Sequence, residues 1–252
     1  LFPAAFPSGE GSDLAGVVTA VGPDAGGFSV GDEVLGYSWR RDSHATHVAV
    51  PVTQLVPKPP RVSWEAAGSL YVVGCTAYAA VRAVDVKPGE TVAVSAAAGG
   101  VGTIVVQLLA LRGARVLGIA SPANDAWLTA HGAVPVHYGP GLADRLTAAA
   151  PEGVDAFIDL FGPDYVQLAA DLGIARDRIE TIIAMDKAKE LGTKSEGSMS
   201  ASTLEVLAEM ADLVAQGKIE VPIAATYPLD RVADAFAELE RRHTRGKIVL
   251  VP

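Results

Sequence analysis

The residues of this chain best suited to chemistry are three glycines packed between an apolar run and a helix-forming run. In Ala96-Ala97-Ala98-Gly99-Gly100-Val101-Gly102 the missing Cβ atoms let the backbone turn tightly and meet a ligand with its own N–H groups. Where such a turn opens a helix, the first amides and the positive end of the helix dipole face outward together, which suits an anion such as a pyrophosphate. Ala98, Gly99, Gly100, Val101 and Gly102 are therefore the candidate anion-binding residues. The spacing is not G-x-G-x-x-G, and the same glycines would equally serve a helix that merely packs close on a strand.

The flanking elements favour the first reading. Thr91 to Ala96 is short, apolar and rich in β-branched residues, as in a buried strand of a parallel sheet, and Thr103 to Arg112 is a run of helix formers without proline. Strand, glycine turn and helix together are the context of a dinucleotide fingerprint. Downstream the pattern continues, with strands expected at Arg115–Ala120, 134–137, 154–160 and 179–184 and helices at 124–131, 143–149 and 165–172. Alternation of this kind means an α/β fold with a doubly wound parallel sheet, because right-handed crossovers place helices on both faces. The polar stretch from Gly192 to Ser200 reads as a loop or a short exposed strand.

On either side the character differs. Residues 14–21, a second run fed by the Val30–Val34 turn and reaching about Tyr37, 47–50 and 54–56 read as short strands separated by turns, a β-rich, barrel-like module. Arg40 to His44 is a charged loop, read as a solvated surface. From the N-cap Ser63 a helix is expected to run towards Asp85. After residue 202, a helix over 203–216 carries Leu204, Leu207, Met210 and Val214 on one stripe, followed by a strand at 223–227, a helix at 229–241 and a closing strand at Lys247–Val251.

Composition narrows the function. The 252 residues are half hydrophobic, with a net charge of −9 and no basic cluster, so nucleic acid is excluded as a partner. No apolar run approaches the ~18 residues of a membrane span, and Phe2 to Pro7 has neither the basic start nor the apolar core of a signal peptide. Cys75 is the only cysteine, which rules out an internal disulfide and a thiolate zinc site and fits a reducing cytoplasm. It lies in an apolar helical run and reads as buried and inert. His44, His47, His131, His137 and His243 lack ligand spacing.

Two further positions bear on a nucleotide. A site specific for a ribose 2′-OH places Asp or Glu at the end of the second strand, roughly 20 residues past the glycines. Here that place holds Ala120-Ser121, and nothing repels a 2′-phosphate. Asp159 to Gly162 follows the fourth strand at the carboxyl edge, where ligands bind in such sheets.

Taken in order, these motifs resemble those of the medium-chain dehydrogenase/reductase superfamily, specifically its zinc-independent, zeta-crystallin-like NADPH:quinone oxidoreductase branch. The resemblance rests on Gly11-Ser-Asp-Leu-Ala-Gly-Val-Val18, Val30-Gly-Asp-Glu-Val34, Ala66 to Ala77, Ala96 to Gly102, Asp159-Leu-Phe-Gly162 and Arg245-Gly-Lys-Ile-Val-Leu250. It implies a GroES-like substrate domain in residues 1–72, incomplete because family members usually carry a further leading segment of roughly fifty residues. It also implies a Rossmann NADP-binding domain in 73–202 and a C-terminal segment, 203–252, returning to the substrate domain. The cofactor is implied to lie in the cleft between the domains, and the family often forms homodimers through the Rossmann sheet.

The resemblance also carries residues. Ser121 and Tyr138 match the family's 2′-phosphate contacts, while the basic position between them is Ala123, a departure, with Asn124 beside it as a neutral donor. Thr76 matches a threonine near the nicotinamide. Phe161, Gly162 and Ala184 stand at the carboxyl edge, and Gly246 and Lys247 resemble a cofactor-contacting tail. Tyr71, where the family usually has proline, reads either as reaching the substrate pocket or as packing, and no catalytic acid or base is assigned.

Zinc is argued against by chemistry. Alcohol-dehydrogenase relatives have Gly-His-Glu where this chain has Gly11-Ser12-Asp13, and a serine hydroxyl is a poor substitute for an imidazole ligand. The expected activity is NADPH-dependent hydride transfer to a small-molecule quinone or α,β-unsaturated carbonyl, which needs no Lewis acid. An enoyl-thioester reductase and a non-catalytic NADPH-binding sensor or structural protein are the alternatives.

Overall fold

Short apolar runs cut by turns build the first sheet. The computed structural model describes residues 8–23 and 25–252; Phe2 to Pro7 lies outside the described residues. The chain divides into two compact units, one formed by the sequence through Val72 with Thr203–Pro252, the other by Val73–Ser202.

In the first unit β1 (Asp13–Val17), β2 (Glu33–Tyr37) and β3 (Leu55–Pro57) form an antiparallel sheet in that order, with Asp13 opposite Tyr37 and Leu35 opposite Val56. β1 stops short of the Val21 expected from its sequence. Val18 N–H still donates to Asp32 O at 2.9 Å, but the partner then turns away at Gly31, whose φ of +98° suits glycine. Residues 47–50, expected as a strand, form none and pair with no strand among the described residues. The charged loop is solvated as expected, with Arg40, Arg41 and His44 exposed; Arg41 pairs with Glu10 at 2.9 Å, and His44 N–H donates to Glu10 O at 2.9 Å.

The helix expected from Ser63 is two helices, α1 (Trp64–Ala67) and α2 (Tyr71–Ala83). Ser63 caps the first by accepting from Ala66 N–H at 3.2 Å. The break falls at Gly68, where Ser69 Oγ takes the Glu65 carbonyl at 2.8 Å and the chain leaves the helix. Asp13 Oδ1 then accepts Val72 N–H at 2.9 Å, satisfying an amide in the first turn of α2.

The second unit is built on β4 (Thr91–Val94), β5 (Arg115–Ala120), β6 (Ala133–His137), β7 (Ala156–Asp159) and β8 (Ile179–Thr181), all parallel, in the order β6-β5-β4-β7-β8. Between them run α3 (Gly100–Leu111), α4 (Asp125–Ala130), α5 (Leu142–Ala149) and α6 (Pro163–Asp171), with α7 (Met185–Leu191) after β8. Gly102 through Leu109 of α3 are buried all round, as befits a central helix. Leu117 and Ile119 of β5 join Phe157, Leu146 and Val166 in one buried cluster. A Cβ at Gly118 would come within 2.9 Å of Leu128 and 3.3 Å of Ala97, so α4 and the β4 turn press on the sheet there.

The strand order shows where a ligand site belongs. From β4 the chain winds outward through β5 to β6, then crosses back to β7 and β8, so the winding reverses between β4 and β7. In open α/β sheets the crevice at the carboxyl ends of such a pair is where ligands bind.

The first unit is completed by α8 (Leu204–Ala215), β9 (Ile223–Pro228), α9 (Val232–Glu240) and β10 (Lys247–Val251), with β10 parallel to β9. Thr203 caps α8 through Val206 N–H at 3.3 Å. Its buried stripe is Val206, Leu207, Met210 and Ala211; Leu204 and Val214 are only half-buried, which rotates the stripe from the one expected.

Candidate active site

The turn from β4 into α3 is held from both sides. Ser95 N–H donates to Ile158 O of β7 at 3.0 Å, and Ala97 N–H to Ile119 O of β5 at 3.1 Å. Ala96 sits between them at φ +46°, a conformation an alanine adopts only when its surroundings impose it. A Cβ at Gly102 would lie 2.2 Å from Ala96 O, so only glycine lets the helix start this close to the turn.

That placement sets the electrostatics. Gly99 is the N-cap of α3 and offers no side-chain acceptor, and the first turn carries no acid. Gly99 N–H closes the turn on Ala96 O and Thr103 N–H is the first to bond within the helix, onto Gly99 O; the amides of Gly100, Val101 and Gly102 take no backbone acceptor among the described residues. Three donors and the positive end of a twelve-residue helix meet at the switch point of the sheet. The residues fit a pyrophosphate.

Beside them lies a buried polar network that the sequence did not announce. Asp159, at the end of β7 and fully buried, accepts from Ser95 Oγ at 2.7 Å, Phe161 N–H at 3.0 Å and Gly162 N–H at 3.1 Å through one oxygen. Its other oxygen accepts from Thr181 Oγ1 at 2.7 Å. Ser95 Oγ in turn accepts Leu160 N–H at 2.8 Å, and Thr181 Oγ1 accepts Ile183 and Ala184 N–H at 3.3 and 3.0 Å. The bonds to Thr181 end β8 at Thr181 rather than at the expected Ala184 and lead the chain into α7. One carboxylate thus shapes the carboxyl ends of β4, β7 and β8. The available signal was a Ser, an Asp and a Thr closing three short buried strands, since buried polar groups must find partners.

The network presents Phe161, 57% exposed, and Ile183, 59% exposed, at the same edge, while Gly162 and Ala184 are buried in its turns. Thr76 is buried in α2. At the far end of the edge, Asn124 Nδ2 donates to Ser121 Oγ at 3.0 Å. Ala120 is the register partner of His137, so Ser121 and Tyr138 leave adjacent strands side by side. Tyr138 is 54% exposed. Burial first, then the nearby Asp159, Tyr138 and Asp164, push the Tyr165 phenol up, and Tyr165 meets Phe161 edge-on at 5.6 Å.

Three of the sequence candidates belong to the first unit. Tyr71 is buried and stacks on Tyr37 at 3.9 Å. Gly246 has φ +77°, and a Cβ there would lie 2.0 Å from Pro222 O. Lys247 places its charge near the half-buried Asp13. Among the described residues no group of three or more His, Cys, Asp or Glu side chains is arranged to hold a metal ion.

Residues 132–250 match the family model described as zinc-binding dehydrogenase. The solved quinone oxidoreductase from Coxiella burnetii superposes with a TM-score of 0.85 at 29% identity, covering 98% of this chain and 80% of the other. This chain is a quinone-oxidoreductase-like medium-chain dehydrogenase/reductase. The quinone oxidoreductase-like chain also superposes on Escherichia coli quinone oxidoreductase complexed with NADPH, with a TM-score of 0.87 at 25% identity over 99% of this chain and 84% of that one. In sequence it is 27% identical to acryloyl-coenzyme A reductase of Metallosphaera sedula over 97% of this chain and 83% of the relative. It is thus an oxidoreductase of the quinone oxidoreductase kind, with a Rossmann-type sheet. No helix among its described residues is long and apolar enough to cross a membrane.

Proposed function

We propose that the chain is an NADPH-dependent reductase that passes hydride to a quinone or an α,β-unsaturated carbonyl without zinc. The observation that carries this reading is the start of α3, where the amides of Gly100, Val101 and Gly102 stand without backbone acceptors among the described residues at the switch point of the sheet. The Escherichia coli relative, solved with NADPH, supports the choice of nucleotide. So does Ala120-Ser121, which puts no carboxylate where a 2′-phosphate would sit.

When bound, the reduced nicotinamide supplies the hydride. The chain's part is to hold and to exclude. The α3 amides hold the pyrophosphate, which the small Ala98 and Gly99 let approach; Ser121, Asn124 and Tyr138 take the adenosine end. Phe161, Gly162 and Ala184 shape the edge that shields the reacting end from water, and Thr76 as a contact near the nicotinamide is proposed from the resemblance alone. Gly246 and Lys247 as cofactor contacts, and Tyr71 as a substrate contact, are proposed from the resemblance alone. Ser12 in place of an imidazole supports reduction of a conjugated acceptor over alcohol oxidation, which needs a Lewis acid for its alkoxide.

The acryloyl-coenzyme A reductase relative favours a second reading, reduction of an enoyl thioester. The test is NADPH oxidation against quinones, enones and enoyl-coenzyme A esters, beside direct titration with NADPH. Turnover on the first two panels is expected. Turnover confined to the thioesters would transfer the assignment to the second reading, and binding without turnover would leave a nucleotide-binding protein. Absence of affinity for either reduced nicotinamide nucleotide, or stoichiometric zinc by elemental analysis, would overturn the proposal.

A further inference from the structure

The adenosine end of the proposed site has neutral donors in Ser121, Asn124 and Tyr138, and Ala123 where a cation would be expected. A 2′-phosphate bears close to two negative charges at neutral pH, and neutral hydroxyls and amides alone bind it weakly. The structure brings a cation to this edge from a different element. Arg145, in the first turns of α5, donates from Nε to His137 O at 2.9 Å, from Nη1 to Pro140 O at 2.8 Å and from Nη2 to Gly139 O at 3.0 Å. The loop wraps the guanidinium by means that need glycine: Gly139 has φ +103° and Gly141 φ +78°. Three of the five guanidinium N–H donors are used on carbonyls, and among the described residues no carboxylate pairs with Arg145, so its charge is not neutralised there.

Two of those carbonyls flank Tyr138, and Tyr138 leaves β6 beside Ser121, one strand spacing of about 5 Å away. The carboxylate in this neighbourhood, Asp125, is turned onto His137 Nε2 at 3.0 Å. We propose that Arg145 is the specificity-determining cation of this end of the site: it fixes the Tyr138 turn and supplies the positive charge that favours a 2′-phosphorylated adenosine. The inference rests on the dinucleotide reading given above. It goes further in assigning the preference to a residue outside the strand-end motif.

The test uses 2′,5′-ADP and 5′-AMP, which differ only in the 2′-phosphate, titrated calorimetrically into the wild type, Arg145→Gln and Arg145→Lys. Gln keeps a neutral donor for the loop carbonyls and protects the fold; Lys restores the charge. The wild type should prefer 2′,5′-ADP. Arg145→Gln should lose that preference by roughly tenfold or more, the size of a lost charge-assisted interaction, with 5′-AMP affinity little changed. Arg145→Lys should recover part of it. A ratio unchanged in Arg145→Gln, a Lys variant as poor as Gln, or a wild type that does not discriminate would each overturn the inference while leaving dinucleotide binding intact. Failure of the wild type to bind either NADPH or NADH would sink the functional reading as well.

Discussion

Ser95 Oγ donates to Asp159 Oδ1 at 2.7 Å across 64 residues of chain, joining the end of β4 to the end of β7 on either side of the point where the sheet's winding reverses. The bond lies wholly inside the protein, and the same carboxylate oxygen holds the amides of Phe161 and Gly162. The edge on which a cofactor would rest is therefore shaped by a buried acceptor and its donors, and only then by the glycines beside it.

Removing that acceptor strands several donors at once. Asp159→Ala leaves Ser95, Thr181 and two backbone amides without their partner, each a buried group whose loss costs ~1–3 kcal/mol. We expect Asp159→Ala to lose at least ~3 kcal/mol in urea unfolding and Ser95→Ala about 1–2 kcal/mol. In the Asp159→Ala background the Ser95 change should cost clearly less, because the two share one bond. Strict additivity in that cycle would show that the contact does not stabilise the edge.

The glycines separate fold from site. At Gly102 a Cβ would fall 2.2 Å from Ala96 O, so Gly102→Ala should lower stability by roughly 1–3 kcal/mol through overpacking. Gly100→Asp is the complementary case. An acid in the first turn of a helix is favourable to the helix dipole, so the melting temperature should hold. The same charge would stand among the amides proposed to bind pyrophosphate, and NADPH affinity should fall below detection. Undiminished affinity in a folded Gly100→Asp protein would remove α3 from the site.

Glu180 gives the protein a pH signature. The residue is fully buried in β8; Glu196 N–H donates to Oε1 at 2.6 Å, and burial pushes the carboxyl up to about 8, against the lowering effects of that amide and Lys194. The folded state then holds a proton that the unfolded chain releases near its ordinary 4.5. The Glu180 contribution is fully favourable below that value and is lost as pH rises to about 8, with a slope of at most ~1.4 kcal/mol per pH unit. Glu180→Gln keeps the Oε1 acceptor and cannot ionise. Thermal unfolding between these limits should decline with pH in the wild type and run flatter in the variant. Parallel profiles would mean that Glu180 titrates normally.

How much of this could be read from residues depends on whether the signal was local. β5 and β10 fall at Arg115–Ala120 and Lys247–Val251 as expected, because runs of β-branched and apolar residues end there at turn formers. The glycine turn was legible for the same reason. α7 was missed: its seven residues carry three charged side chains after Asp186, too short a span to show a stripe, and it ends only through Gly192 at φ +68°. The single helix expected from Ser63 broke at Gly68 because a serine one residue later claimed a carbonyl. Asp159 was legible only as the start of a turn at the carboxyl edge, and nothing in the sequence singled out Arg145. Their roles depend on which strands stand side by side, and periodicity carries no record of that.

Lys247 allows the proposed cofactor tail to be tested against a structural role. Asp13 lies in β1 with its carboxyl raised by burial, and Lys247 in β10 and the Val72 amide both lower it. If Lys247 is replaced by Met, the carboxylate loses its positive neighbour and the folded state must hold it charged at greater cost or take up a proton. Stability at neutral pH should drop by ~1–3 kcal/mol. Because a raised carboxyl contributes most below its unfolded value and less as pH rises, that deficit should shrink in acid. Adding Asp13→Asn removes the charge that needed balancing while keeping an acceptor for Val72 N–H, and the double variant should regain most of the lost stability. A cofactor contact behaves differently: NADPH affinity should fall in Lys247→Met and stay low in the double variant. Recovery of affinity together with stability would assign Lys247 to Asp13 alone and strike it from the nucleotide site.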